Sequence, residues 1–189
     1  MKRIGILGDI GSGKSFIAKS FGYPVFNADE EVAKIYKKDK KVFKRLNHLL
    51  PKHIFSFPIK KDEIVKAVLA SRNNLKKIAS VVHLEIRKKM NSFLKKNKSQ
   101  KIVILDIPLL LENKINNKKD VLVFVQSKKL DVEMRLKKRA NFNKKLIKKF
   151  NEIQLPLYYK KKVSNFIIKN NFTKKSVKKD VESILKKIL

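Results

Sequence analysis

The chain has no cysteine and no tryptophan. Without cysteine it can form neither a disulfide nor a thiolate metal site, a composition that suits a reducing cytoplasm, so a cytoplasmic protein is expected. Acidic residues are scarce as well: 16 Asp and Glu stand against 48 Lys and Arg, a net charge of +32. Glycine occurs only five times, at positions 5, 8, 11, 13 and 22. A long hydrophobic run is also missing. The longest apolar stretch, 102–111, is interrupted by Asp106 and Pro108, well short of the ~20 residues of a membrane-crossing helix. The apolar residues after Met1 stop at Gly8-Asp9, too early for a signal peptide. No membrane partner is therefore expected.

What is present is a chain of 189 residues, 43% of them hydrophobic, without a break in composition or an internal repeat. That predicts a single domain over 1–189 with a sizeable core. Arginine supplies only six of the basic positions (3, 45, 72, 87, 135 and 139), and the lysines are dispersed along the whole chain. A nucleic-acid surface more often mixes arginine with aromatics in a defined patch. The charge reads as compositional drift that would still attract a polyanionic substrate. No nucleic-acid partner is expected, and a monomer or weak oligomer is.

Short apolar runs at 2–7, 23–27, 102–106, 121–125 and 163–168 read as strands. Between them, 14–21, 30–50, 62–97 (one or two helices), 128–140, 143–161 and 174–188 carry helical patterns, with Gly22 as a stop and Thr173 as an N-cap. The alternation predicts an α/β fold of three layers, α/β/α, around a five-stranded, mainly parallel sheet. Ligands bind such sheets beyond the carboxyl ends of the strands. The first three strands run out at Gly8, Asp29 and Asp106, which would gather a loop and two carboxylates along one edge.

Gly8-Asp9-Ile10-Gly11-Ser12-Gly13-Lys14-Ser15 has the spacing of a phosphate-binding P-loop. Its glycines let backbone N–H groups turn toward phosphate oxygens, and the following helix presents its positive end to the anion. Lys14 would reach the outer phosphates of ATP, and the Ser15 hydroxyl would help to hold Mg²⁺. Ile10, Ser12 and Phe16 complete the set of residues around the nucleotide. Asp9 would repel a triphosphate, so its side chain is expected to face outward.

From this loop onward the sequence resembles the dephospho-CoA kinase family, P-loop kinases that phosphorylate the ribose 3′-hydroxyl of dephospho-CoA with ATP and Mg²⁺. The resemblance spans nearly the whole chain. After the loop it runs through Asn27-Ala28-Asp29, His83-Leu84-Glu85-Ile86-Arg87, Asp106-Ile107-Pro108-Leu109-Leu110-Leu111-Glu112, Arg135-x3-Arg139, and a closing segment from Gln154 to Ile168-Lys169-Asn170-Asn171. It implies the last step of coenzyme A synthesis, a helical acceptor-binding region at 28–98 and a lid at 136–150. It implies Asp29 as the base that takes the proton of the attacking hydroxyl, with Lys14 and Arg139 offsetting charge on the transferring group. It also implies that Asn170 lies near the adenine, and that Lys61, His83, Arg87, Pro108, Leu109 and Leu110 join Asp29 in meeting dephospho-CoA. On its own, Asp29 also reads as a helix N-cap.

The chain departs from the family pattern in places. Asn27 replaces an aspartate, Leu84 a proline and Lys61 an arginine, and Ser164-Asn165 and Phe172 replace the usual Ala-Asp and glycine. These departures touch the acceptor side more than the loop. Two other functions share parts of the pattern. One is another small-molecule P-loop kinase, acting on a nucleoside, a nucleotide or a sugar acid. The other is a nucleotide-gated, non-catalytic nucleic-acid-binding protein, for which no RNA-binding motif of the usual kinds is present.

Overall fold

The computed structural model describes residues 1–138 and 142–189. They form two compact units: residues 1–27, 97–143 and 152–189 make the first, and 28–96 with 144–151 the second.

The first unit is built on a five-stranded sheet. Its strands are β1 (Lys2–Gly8), β2 (Val25–Asn27), β3 (Ile102–Asp106), β4 (Val121–Gln126) and β5 (Phe166–Lys169). The order is β2-β3-β1-β4-β5, and every pairing is parallel. Three helices pack on it: α1 (Lys14–Ser20) and α9 (Lys174–Ile188) share a core with the sheet, and α8 (Leu157–Lys162) meets β1. Side chains alternate across a strand. Ile4 and Ile6, Ile102 and Ile104, and Val123 and Val125 thus point together into one core with Ile17, Phe21, Val177 and Val181. Gly5 faces the opposite way, where a Cβ would stand 2.5 Å from Leu110. The remaining helix of this unit, α6 (Lys129–Lys137), follows β4.

The second unit is helical: α2 (Ala28–Lys38), α3 (Lys40–Leu49), α4 (Lys61–Ala70), α5 (Arg72–Lys96) and α7 (Lys144–Asn151). Its buried side chains include Ile35, Leu46, Ile54, Val68, Val82 and Ile86. Helix α7, read from sequence as lid, packs against α4, and Lys149 donates from Nζ to the carbonyls of Val68 (2.8 Å) and Leu69 (2.9 Å). No helix among the described residues is long and apolar enough to cross a membrane.

The helical readings needed breaks that periodicity alone hid. The 30–50 pattern splits at Asp39, whose Oδ1 accepts from the amides of Lys41 and Val42, both at 3.0 Å, and starts α3. A carboxylate that satisfies first-turn amides is a strong N-cap. The 62–97 pattern, read as one or two helices, is two, divided at Ser71, whose Oγ accepts from Asn74 N at 3.0 Å. The 143–161 pattern splits before Pro156, the N-cap of α8. Strand β5 starts later than expected, because Val163 still caps α8 and pairing begins with Asn165 donating to Leu122 O at 2.9 Å.

Glu63 in α4 is buried, and its carboxylate organises the turn before the helix. It accepts from the amides of Phe55 (3.0 Å) and Ser56 (3.3 Å) and from the Ser56 hydroxyl. Burial pushes its pKa up, but the Ser56 hydroxyl and the two amides outweigh that and hold it below the usual glutamate range. A carboxyl depressed on folding contributes stability that is present above its unfolded-state pKa and lost as pH falls through the folded value. Glu63→Ala should destabilise the protein by about 1–3 kcal/mol at pH 7 in urea denaturation. The deficit should shrink below about pH 4. Equal deficits at both pH values would show that the charge on Glu63 contributes nothing.

Candidate functional site

β1 lies between β3 and β4 in the sheet, so the loop between Gly8 and Lys14 leaves the middle of the carboxyl edge. One carbonyl fixes its shape. Ser12 O accepts from Asn170 Nδ2 at 2.8 Å and from Ser127 Oγ at 3.0 Å. Ser127 is the first residue after β4 and Asn170 the first after β5. The ends of the next two strands therefore hold the loop. Drawing a carbonyl outward leaves the neighbouring N–H groups to form the concave face that binds anions.

Gly13 is needed twice over. Its φ is +92°, and a Cβ there would stand 2.4 Å from Asn170 Nδ2. Lys14 lies across the loop, donating from Nζ to Asp9 O at 2.6 Å and Gly8 O at 3.2 Å. Ser15 and Phe16 are exposed on the first turn of α1, and Ile10 is half-buried. Asp9 is half-buried, and its Oδ1 accepts from Ile10 N at 2.7 Å, so short a side chain reaching the next amide directly.

At the neighbouring strand ends, Asn27 and Asp106 are register partners, and Asn27 Nδ2 donates to Asp106 Oδ2 at 2.8 Å. Asp106 is 3% exposed, so its carboxylate needs such donors. The aspartate expected at position 27 would instead set two carboxylates against each other. After β3, Pro108 and Leu109 are half-buried, whereas Leu110 is fully buried and its side chain packs in the core. Glu112 accepts from Leu155 N at 2.9 Å and pairs with Lys160 at 2.7 Å. Lys160 is itself 1% exposed and also donates to Gln154 at 3.0 Å. Two motifs far apart in sequence thus meet in one buried ion pair.

Arg135 on α6 stacks over the ring of Phe172, its Cζ 4.2 Å from the centroid. Arg139 lies outside the described residues. Asn170 is buried, with Nδ2 on Ser12 O and Oδ1 accepting from Phe172 N at 2.9 Å, so it braces the loop.

The helical unit carries the other candidates. Asp29 is exposed and sits inside the first turn of α2, so it is not the N-cap. The helix starts directly after β2 and leaves no capping position at 29. Lys61 opens α4 and is exposed. His83 and Arg87 lie one turn apart on α5, where burial, then the charge of Arg87, pushes the His83 pKa down. His83 is accordingly neutral at pH 7. Among the described residues no group of three or more His, Asp or Glu side chains could enclose a metal ion. Sequence reading missed Ser127 and the Asn27–Asp106 pair. The signal available for both was a polar side chain at the carboxyl end of a parallel strand.

The family model for dephospho-CoA kinase matches residues 2–176. The chain is 34% identical over 187 residues to a dephospho-CoA kinase of Wolbachia pipientis wMel, covering 96% of this chain and 95% of that one. Among solved structures it resembles a Thermus thermophilus protein, with a TM-score of 0.80, 24% identity, and 100% and 98% of the two chains covered. It also resembles a dephospho-CoA kinase from Campylobacter jejuni, with a TM-score of 0.66, 20% identity, and 100% and 98% covered. At those identities the two structures speak for the fold.

Asn170→Leu keeps the branched outline of the side chain and removes both of its hydrogen bonds. It should weaken ATP binding about ten-fold in calorimetry while leaving the far-UV circular dichroism unchanged. Unaltered affinity would mean that the loop keeps its shape without the hold on Ser12.

Proposed function

This chain belongs to the dephospho-CoA kinase family, and from that premise we propose how its residues divide the work. The reaction is the ATP-dependent phosphorylation of dephospho-CoA at its ribose 3′-hydroxyl, giving CoA. The observation that carries the assignment of residues is the 8–15 loop, held at Ser12 on the carboxyl edge of the sheet. Its amides cradle the phosphates of ATP, and Lys14 leaves the Gly8 and Asp9 carbonyls to meet the outer phosphates. Gly11, Gly13, Ile10, Ser12 and Phe16 line the same site.

Phosphoryl transfer asks for position and charge more than for covalent help from the protein. Asp29 is the base: its exposed carboxylate accepts the proton of the 3′-hydroxyl as oxygen attacks the γ-phosphorus. The bond from that phosphorus to the β,γ-bridging oxygen breaks, and ADP leaves. Lys14 and Arg139 offset charge on the transferring group. Lys61, His83 and Arg87 on the helical unit, with Pro108 and Leu109 after β3, meet the acceptor. His83, being neutral, can accept a hydrogen bond as well as donate one.

The residues present fit Mg²⁺. The exposed Ser15 hydroxyl is a hard oxygen donor at the loop, and the lack of an acidic or histidine cage among the described residues suits an ion that keeps waters and phosphate oxygens as ligands. Bound there, Mg²⁺ neutralises phosphate charge.

Turnover of dephospho-CoA with ATP, read as CoA formed, tests the reading directly. No CoA, with turnover of a nucleoside or sugar acid instead, would sink it. Lys14→Ala should cut kcat at least about a hundred-fold. Asp29→Asn should lower kcat about a hundred-fold or more while ATP affinity stays within about two-fold. Full activity in Asp29→Asn would refute its role as base.

A further inference from the structure

Phe172 has a φ of +63°, in the left-handed region that glycine enters freely and bulky side chains avoid. The family resemblance leads one to expect glycine at this position, and here the chain instead holds an aromatic residue under strain. The strained backbone is pinned, since Phe172 N donates to Asn170 Oδ1 at 2.9 Å. The ring is half-exposed rather than sunk into the core. It borders the phosphate loop: its Cε1 would lie 3.3 Å from a Cβ on Gly13. Arg135 stands over the ring, its Cζ 4.2 Å from the centroid.

Arg135 belongs to α6, which touches the same loop. Val132 and Leu136 crowd Gly11 so closely that a Cβ there would stand 2.9 Å from Leu136 Cγ and 3.1 Å from Val132 Cγ1. The loop is therefore bordered at Gly11 by α6 and at Gly13 by the turn after β5. The Arg135–Phe172 stack ties these two borders together.

We infer that Phe172 is a positioning residue for ATP binding, its ring holding the Arg135 guanidinium in place beside the 8–15 loop. In a chain of net charge +32 the number of cations is not limiting. What a phosphate ligand gains from is positive charge that is already ordered. An arginine side chain has many rotamers, and fixing them on ligand binding weakens affinity. Stacking on a ring fixes the guanidinium beforehand and leaves its N–H donors for phosphate, because the contact uses the ring face and no hydrogen bond. A lysine has no planar fork for this task. The strain at Phe172 is then the cost of putting an aromatic face where only the turn after Asn170 can place it.

The inference rests on the reading that the 8–15 loop binds ATP, so the test measures ATP binding separately from turnover. Calorimetry with ATP and steady-state kinetics are run on Phe172→Gly, Phe172→Leu, Phe172→Tyr, Arg135→Lys and the double variant Arg135→Lys/Phe172→Gly. Phe172→Gly relieves the backbone strain, so Tm should hold or rise, yet ATP affinity should fall roughly three-fold and KM for ATP rise in step. KM for dephospho-CoA should not change. Phe172→Leu should resemble Phe172→Gly, and Phe172→Tyr should restore wild-type affinity. Arg135→Lys should show the same loss, with nothing further lost in the double variant. Wild-type affinity in Phe172→Gly or Phe172→Leu would overturn the inference and leave the ring a packing group. Additive losses in the double variant would overturn it as well. Failure of the wild-type protein to bind ATP would instead bring down the reading of the loop.

Discussion

Two side-chain donors on one carbonyl hold the 8–15 loop in place. The loop between β1 and α1 is rich in glycine and would otherwise sample many shapes. Asn170 and Ser127 fix Ser12 O from the ends of β5 and β4. The loop is therefore only as well placed as the register of three adjacent strands. Pairings such as Leu7 with Phe124 and Val125 with Ile168 thus help to fix where the loop stands. Preorganised amides bind an anion without first having to be ordered by it.

A second tie reaches the same sheet through buried charge. Glu112 and Lys160 are both nearly closed to solvent and only 2.7 Å apart. Gln154 and the amide of Leu155 take up further hydrogen bonds of the pair. Losing either partner would strand the other, which makes such pairs costly to break even where they add little net stability. Here the pair sets where the chain after 151 rejoins the first unit, and so where α8 meets β1.

The loop between β1 and α1 was readable from sequence because glycines interrupt the apolar strand there, and the glycine-poor composition made those positions conspicuous. The five strands and α9 were readable because each buries a simple apolar pattern. The break at Asp39 was not, nor was the position of the one at Ser71, since a capping side chain inside a continuous helical pattern looks like any polar residue. Asp29 stood out by its motif, but its N-cap reading failed on a boundary: α2 begins one residue earlier. Asp9 was judged by its charge alone, and its hydrogen bond to the Ile10 amide was not foreseen. The Arg135–Phe172 stack joins α6 to the turn after β5, and no spacing rule links such distant positions.

Strand β1 is made before the other four and waits for both of its partners. As the chain is synthesised, the apolar side chains of Ile4, Ile6 and Leu7 precede β3 and β4, which follow only after β2 and the helices α2 to α5. The helices from α2 to α5 lie between, and their contacts are local enough to form while the sheet still waits. Parallel pairing of this kind is slow and leaves strand edges open in the interval. The central position of β1, which places the loop mid-sheet in the finished enzyme, is also what leaves both of its edges unpaired until β3 and β4 have been made.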